Sequence, residues 1–139
     1  MMSNALANDL LECTLKGTDP SWRAGATQYL ALISSDTPDP ADPLATELTY
    51  TGYARIAHTK ASGWTDNGTN FTNSVLKQWG KRTDAGAAQT ARKVVVVDTV
   101  SGAVAMAIIA DLADDLSITQ NVQPQCDVGT ITITGKTSE

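Results

Sequence analysis

A mainly β fold, a β-sandwich or jelly roll of about eight short strands with one N-terminal helix, is predicted by three features of this 139-residue chain. Thr, Asn and Gly recur between short apolar runs, the composition of strands separated by turns. Four consecutive valines at Val94–Val97 read as a strand covered on both faces. The stretch Thr130-Ile131-Thr132-Ile133-Thr134 alternates with the period of a sheet that has one wet face. The length suits one domain that buries a core without disulfides or metals. A single jelly-roll-like domain is expected over 1–139, with the helix and its turn in 1–20 and the sandwich in 28–134.

The helix is the first element. Ser3 or Asn4 can cap it, and it runs to about Lys16. Leu6, Leu10 and Cys13 share one face, with Leu11 and Leu15 on an adjoining stripe. Asp9 and Glu12 precede Lys16 in the order the helix dipole prefers. Gly17 supplies the stop, and Pro20 prevents resumption. Gln28–Ser34 is nearly continuous in apolar residues and reads as a strand with both faces covered. Three prolines within Asp36–Pro43 deny regular pairing there and predict an extended polar loop. Leu48–Tyr50 and Tyr53–His58 read as two strand pieces joined at Thr51-Gly52. Asn67-Gly68 is a tight-turn signal, with Phe71–Leu76 a short strand beyond it. Gly80–Gln89 has no period and is expected to be loop. Arg92–Asp98 is the clearest buried strand. Thr99–Gly102 is a turn, Ala103–Leu112 a strand with enough Ala to allow a short helix, and Leu116–Thr119 and Thr130–Thr134 complete the set.

Composition and motifs exclude most chemistry. The formal net charge is −5, and basic residues cluster only as the pairs Lys81-Arg82 and Arg92-Lys93. Nucleic-acid affinity needs a basic patch, so no nucleic-acid partner is expected. The longest apolar stretch, Ala103–Ala110, is far short of the ~20 residues a membrane span requires, and the start Met1-Met2-Ser3-Asn4 has no secretory character. Cys13 and Cys126 match no ligand spacing and are read as free thiols, with a single bridge as the alternative. His58 is the only histidine, and no Gly-x-Ser-x-Gly elbow accompanies it, so a nucleophilic triad has no base and no nucleophile. Gly135-Lys136-Thr137 imitates the end of a phosphate loop, but five residues separate Gly129 from Gly135 where that loop has four. Asp111, Asp114 and Asp115 read as a solvated turn, not a glycosidase pair, because no aromatic-lined sugar cleft is apparent. The Pro/Asp loop lacks the glycine turn of a calcium site. Asn67-Gly68-Thr69 and Asn70-Phe71-Thr72 match the glycosylation sequon by composition alone. No catalytic residue, cofactor or metal site is expected. Trp22, Trp64 and Trp79 lie next to turn residues, where they either plug the ends of the sandwich or anchor a partner.

The order of features resembles a family. Leu10-Leu11 in a short helix leads to Tyr29-Leu30-Ala31-Leu32-Ile33-Ser34-Ser35-Asp36, then a Pro/Asp loop, Glu47-Leu48 and Gly52-Tyr53-Ala54-Arg55. Trp79-Gly80, Asp98 with Gly102, and Gly129-Thr130-Ile131-Thr132-Ile133 follow. This is similar to small phage virion proteins of the tail-fibre-like and head-decoration kinds, and most similar to capsid cement proteins such as that of a Bordetella podophage. The resemblance implies a jelly roll, a homodimer, and a place on the outside of the capsid with the major capsid protein as partner, after synthesis in the host cytoplasm. It implies adhesion in place of catalysis. A tail-fibre or tail-tip component and a carbohydrate-binding jelly-roll module are the other two readings. The loops at Asp36–Pro43 and Lys81–Arg92 depart from the tail-fibre-like pattern. Leu6, Leu10, Trp22 and Trp64 are the candidate interface residues.

Overall fold

Helix α1 spans Asn4–Lys16, in a computed structural model that describes residues 1–135. Ser3 caps it, its Oγ accepting from the Leu6 N–H at 3.2 Å. Gly17 ends it at φ +69°, a left-handed conformation that costs glycine nothing, and its N–H donates to the Cys13 carbonyl. A single 3₁₀ turn, Ser21–Arg23, follows.

Nine strands come next: β1 Thr27–Ile33, β2 Ile56–Thr59, β3 Trp64–Asp66, β4 Asn70–Asn73, β5 Lys77–Gln78, β6 Gln89–Val97, β7 Ala107–Ile118, β8 Gln125–Cys126 and β9 Ile131–Thr134. Seven form one antiparallel sheet in the order β2-β1-β6-β7-β9-β4-β3, and β5 pairs with β8 in a small ribbon. The sheet curls into a half-barrel, where the sequence predicted the two facing sheets of a sandwich or jelly roll. Alternation in a sequence marks the apolar face of a strand. It does not say whether that face meets another sheet or the same sheet bent round. Here the edge strands β2 and β3, at opposite ends of the order, are joined by only Lys60–Gly63, and this short link draws the edges together. Gly63 donates to the Thr59 carbonyl and Trp64 to that of Ala61.

The central strands β1, β6 and β7 carry the core, and their apolar runs are covered on both sides as expected. Leu30, Leu32, Val94, Val96 and Ala110 face the concave side with Leu48, Tyr50, Trp79 and Ile131. Ala31, Ile33, Val95, Val97 and Ile109 face the convex side, under Leu44, which follows the Pro/Asp loop, and Val104. Trp79 is 1% exposed, and its indole N–H donates to the Leu30 carbonyl at 3.1 Å, so this tryptophan lies at the centre of the concave core.

Several boundaries differ from expectation for identifiable reasons. Leu48–Tyr50 is not a strand: Glu47 makes one bridge to Ile33, Leu48 donates to the Leu32 carbonyl, and the chain then turns. Ala103–Leu112 and Leu116–Thr119 merge into β7, which begins only at Ala107. Pairing with β6 shifts from Ala91↔Leu116 to Lys93↔Asp111, leaving Arg92 opposite the extra residues of a bulge. On its other edge β7 pairs with β9 at Asp111 and Leu112. The acidic cluster therefore lies within a strand. Asp111 pairs with Lys93 at 2.6 Å, and Asp115 lies 3.6 Å from Arg92, which also holds Asp36. Lys136 and Thr137, the end of the phosphate-loop imitation, lie outside the described residues. Cys13 on α1 and Cys126 in β8 are both free.

Buried polar groups fix the loops. Arg55 clasps both oxygens of Glu47 at 2.8 Å and donates to the Thr99 and Gly102 carbonyls. Arg82 reaches the Ala87 and Ile118 carbonyls and pairs with Asp84, whose carboxyl it holds down at about 2. Asn73 donates to the Val75 and Asp127 carbonyls and accepts from the Ile131 N–H. Gly80 packs against Gly52 so closely that an added Cβ would stand 1.8 Å from the Gly52 carbonyl oxygen. Gly80→Ala is therefore expected to destabilise the fold by about 2 kcal/mol or more, with loosening of the adjacent Trp79 visible in its fluorescence.

His58 sits at the seam between the two edges. It is 1% exposed, its ring centre lies 4.3 Å from that of Trp64, and among the described residues neither of its ring nitrogens has a hydrogen-bond partner. Burial, and then the nearby Lys77 ammonium, push its pKa down from 6.5 to about 4. Because the folded pKa is the lower one, the unfolded chain binds more protons between these values. Stability is expected to fall as the pH drops from 6.5 toward 4, by about 3 kcal/mol in all. Denaturant titrations across that range check the slope, and His58→Leu should abolish it.

Candidate functional site: an apolar groove beside helix α1

Helix α1 touches the body through one narrow face. Leu6, 3% exposed, enters the concave core, while Leu10 is 40%, Leu11 58% and Leu15 77% exposed. At 100° per residue Leu11 and Leu15 lie about 140° and 180° round the helix from Leu6. They form a second apolar stripe that points away from the sheet.

The helix is held by its two ends. Met1–Ser3 runs along β7: the Ser3 N–H donates to the Ala107 carbonyl, the Ile109 N–H to that of Met1, and Met2 bridges Ile108. The Asn4 N–H donates to the Pro40 carbonyl, which ties the start of α1 to the Pro/Asp loop. Farther along, the Trp22 indole N–H donates to Asp9 at 2.7 Å. Between helix and sheet lies a groove of about 550 Å³, lined by Met1, Met2, Leu10, Trp22, Met106 and Ile133 among others. A second cavity of about 560 Å³ adjoins it across Gln28, Ile108 and Ile133, and is walled by Trp64 and Phe71. Together they make a trough on the concave side that the described residues leave unfilled.

The structure brings three of the four sequence candidates to the first groove: Leu6 as its floor, Leu10 and Trp22 as its walls. Trp64 is at the second cavity, half-buried against His58, its N–H donating to Gln28 at 3.1 Å. Both candidate tryptophans thus spend their N–H groups internally. Sequence reasoning missed Met1, Met2, Met106 and Phe71. The methionines carry no periodic signal, Met106 lying far along the chain from Met1 and Met2, although they are all three that it has. Among the described residues no three His, Cys, Asp or Glu side chains gather as a metal site. The arrangement supplies adaptable apolar surface, since methionine is flexible and polarisable, and offers no reacting group.

The family described as Podophage GP4 fiber I protein gp80 matches residues 1–134. The chain belongs to this family of phage fibre proteins. A fibre is a structural part of the phage particle, so the family implies a non-enzymatic role. The match favours the tail-fibre reading over capsid cement. No curated protein matches the chain significantly.

Trp22→Phe keeps an aromatic ring, smaller than the indole, and removes the donor to Asp9. The loss is expected to be about 1 kcal/mol, seen as a lower denaturant midpoint and as faster amide exchange confined to α1.

Proposed function

We propose that this protein is a building block of the podophage tail fibre that works by adhesion, using the face formed by α1 and its groove as its contact surface. The observation that carries this reading is the fibre-family match over residues 1–134, on a chain whose apolar groove beside α1 is flanked by an outward-facing leucine stripe. Apolar side chains exposed next to one another are costly in water and are offset when a partner covers them. A virion part gains from this because contacts made only in the assembled particle stabilise the assembled state.

Fractionation tests the assignment. Antibody to the protein should label fibres in electron micrographs, and the protein should travel with detached tails. Recovery with empty heads, and loss of shell stability when it is stripped, would support the cement alternative with the major capsid protein as partner.

A further inference from the structure

Folding assembles an aromatic-walled cleft that no local pattern in the chain displays. The start of β1 lies at its centre. Pairing of Thr27 with Thr59 and of Tyr29 with Val97 brings Lys60 and Asp98, which follow β2 and β6, to the two sides of Gln28. The 3₁₀ turn adds Ser21 and Trp22, and together these side chains line a cavity of about 190 Å³. Gln28 and Lys60 also line the second cavity described above, the one walled by Trp64 and Phe71. The geometry points to a binding cleft for a neutral saccharide, with one sugar ring held among Trp22, Gln28, Lys60 and Asp98 and the next against Trp64 and Phe71. This site goes beyond the α1 contact face and does not rest on it.

The polar groups are fixed in place and still have bonds to give. Lys60 Nζ donates to the Trp22 carbonyl at 2.6 Å and to that of Arg23 at 3.2 Å, which uses two of the three protons of an ammonium. Asp98 accepts the Ala105 and Met106 N–H groups on Oδ1. The Gln28 carbonyl oxygen accepts from Trp64, and its amide nitrogen reaches only the Met106 sulphur, at 4.0 Å. Among the described residues the third Lys60 proton, Asp98 Oδ2 and the Gln28 amide protons are left for a ligand.

Charge selects the ligand class. An anion entering the cleft meets the Asp98 carboxylate, and a cation meets the Lys60 ammonium. A hydroxyl both donates and accepts, so a neutral polyol satisfies the two residues without importing a charge. The aromatic walls narrow the choice further. Trp22 and Trp64 spend their N–H groups on Asp9 and Gln28, which holds both indoles in position. Phe71 is 45% exposed and packs in neither core cluster. A sugar ring carries hydroxyls at its rim and C–H groups on its faces, and so matches polar and aromatic walls at once. Fixed aromatic surface with a few convergent polar groups is the build of a small-ligand site, and the two cavities together fall in the usual range of about 300–1,000 Å³.

Saturation-transfer NMR on the full chain supplies the test. The probes are methyl glycosides of glucose, galactose and mannose, the disaccharides maltose, cellobiose and lactose, and glucuronate and glucosamine as charged controls. At least one neutral sugar is expected to receive saturation and to change the tryptophan fluorescence saturably, with a Kd on the order of 1 mM. Asp98→Asn keeps an acceptor for the two N–H groups and removes the charge. It should weaken neutral sugars about 10-fold and admit glucuronate, which the native chain refuses. Phe71→Ala alters an exposed side chain, so its melting temperature should match that of the native chain. It should leave monosaccharide binding unchanged and weaken the disaccharide about 10-fold. No saturation transfer from any sugar at ~10 mM, a preference for glucuronate or glucosamine, or binding indifferent to both substitutions would overturn the proposal.

Discussion

Everything in the fold depends on the burial of three adjacent strands, β1, β6 and β7, on both of their faces. Over Leu30–Ile33, Val94–Val97 and Ala107–Ala110 these strands form a ladder of Leu, Val, Ile and Ala with no polar residue on either side, which cannot be left against water. Each face has to be roofed, and the chain roofs them with irregular segments in place of a second sheet. Tyr50, Trp79 and Leu48 close the concave side, and Leu44, just after the Pro/Asp loop, closes the convex one with Val104. Loops used as roofing carry unpaired backbone groups into the interior, where each would cost free energy. The buried guanidiniums of Arg55 and Arg82 meet that need, each taking two backbone carbonyls besides its carboxylate. Those arginines follow from the decision to cover the strands with loops.

Much of this was legible in the sequence, and the pattern of what was not is physical. Ser3, Gly17 and Pro20 bracket α1 because caps act within a turn of where they stand. The four valines announced a doubly covered strand, and Asn67-Gly68 announced the β3–β4 turn, with Gly68 at φ +87°. The closure of the sheet was not legible, since it depends on which strands become neighbours. β2 and β3 sit at opposite edges yet adjoin in the chain, a relation no local pattern encodes. The bulge opposite Arg92 was hidden for a similar reason: acidic residues after an apolar run look alike in a turn and in an unpaired strand segment.

The candidate site was half visible. Leu6, Leu10 and Trp22 drew notice through helical spacing and turn context, and they do meet. Leu11 and Leu15 stood out as an adjoining stripe, but nothing in the spacing distinguished the stripe that faces the body from the one that does not. Met106 reaches the groove from the start of β7, a hundred residues from Met1 and Met2, and only the folded chain brings them together. The resemblance to fibre-like and decoration proteins reached the right class of particle component, and the family match sharpened it toward the fibre.

The two stretches Met1–Ser3 and Ile131–Thr134 lie in succession along one edge of β7, the first against Ala107–Ile109 and the second against Asp111 and Leu112. With both stretches in place the backbone groups along this edge of β7 are paired, so a strand that would otherwise offer a template to other chains is closed by the protein's own segments.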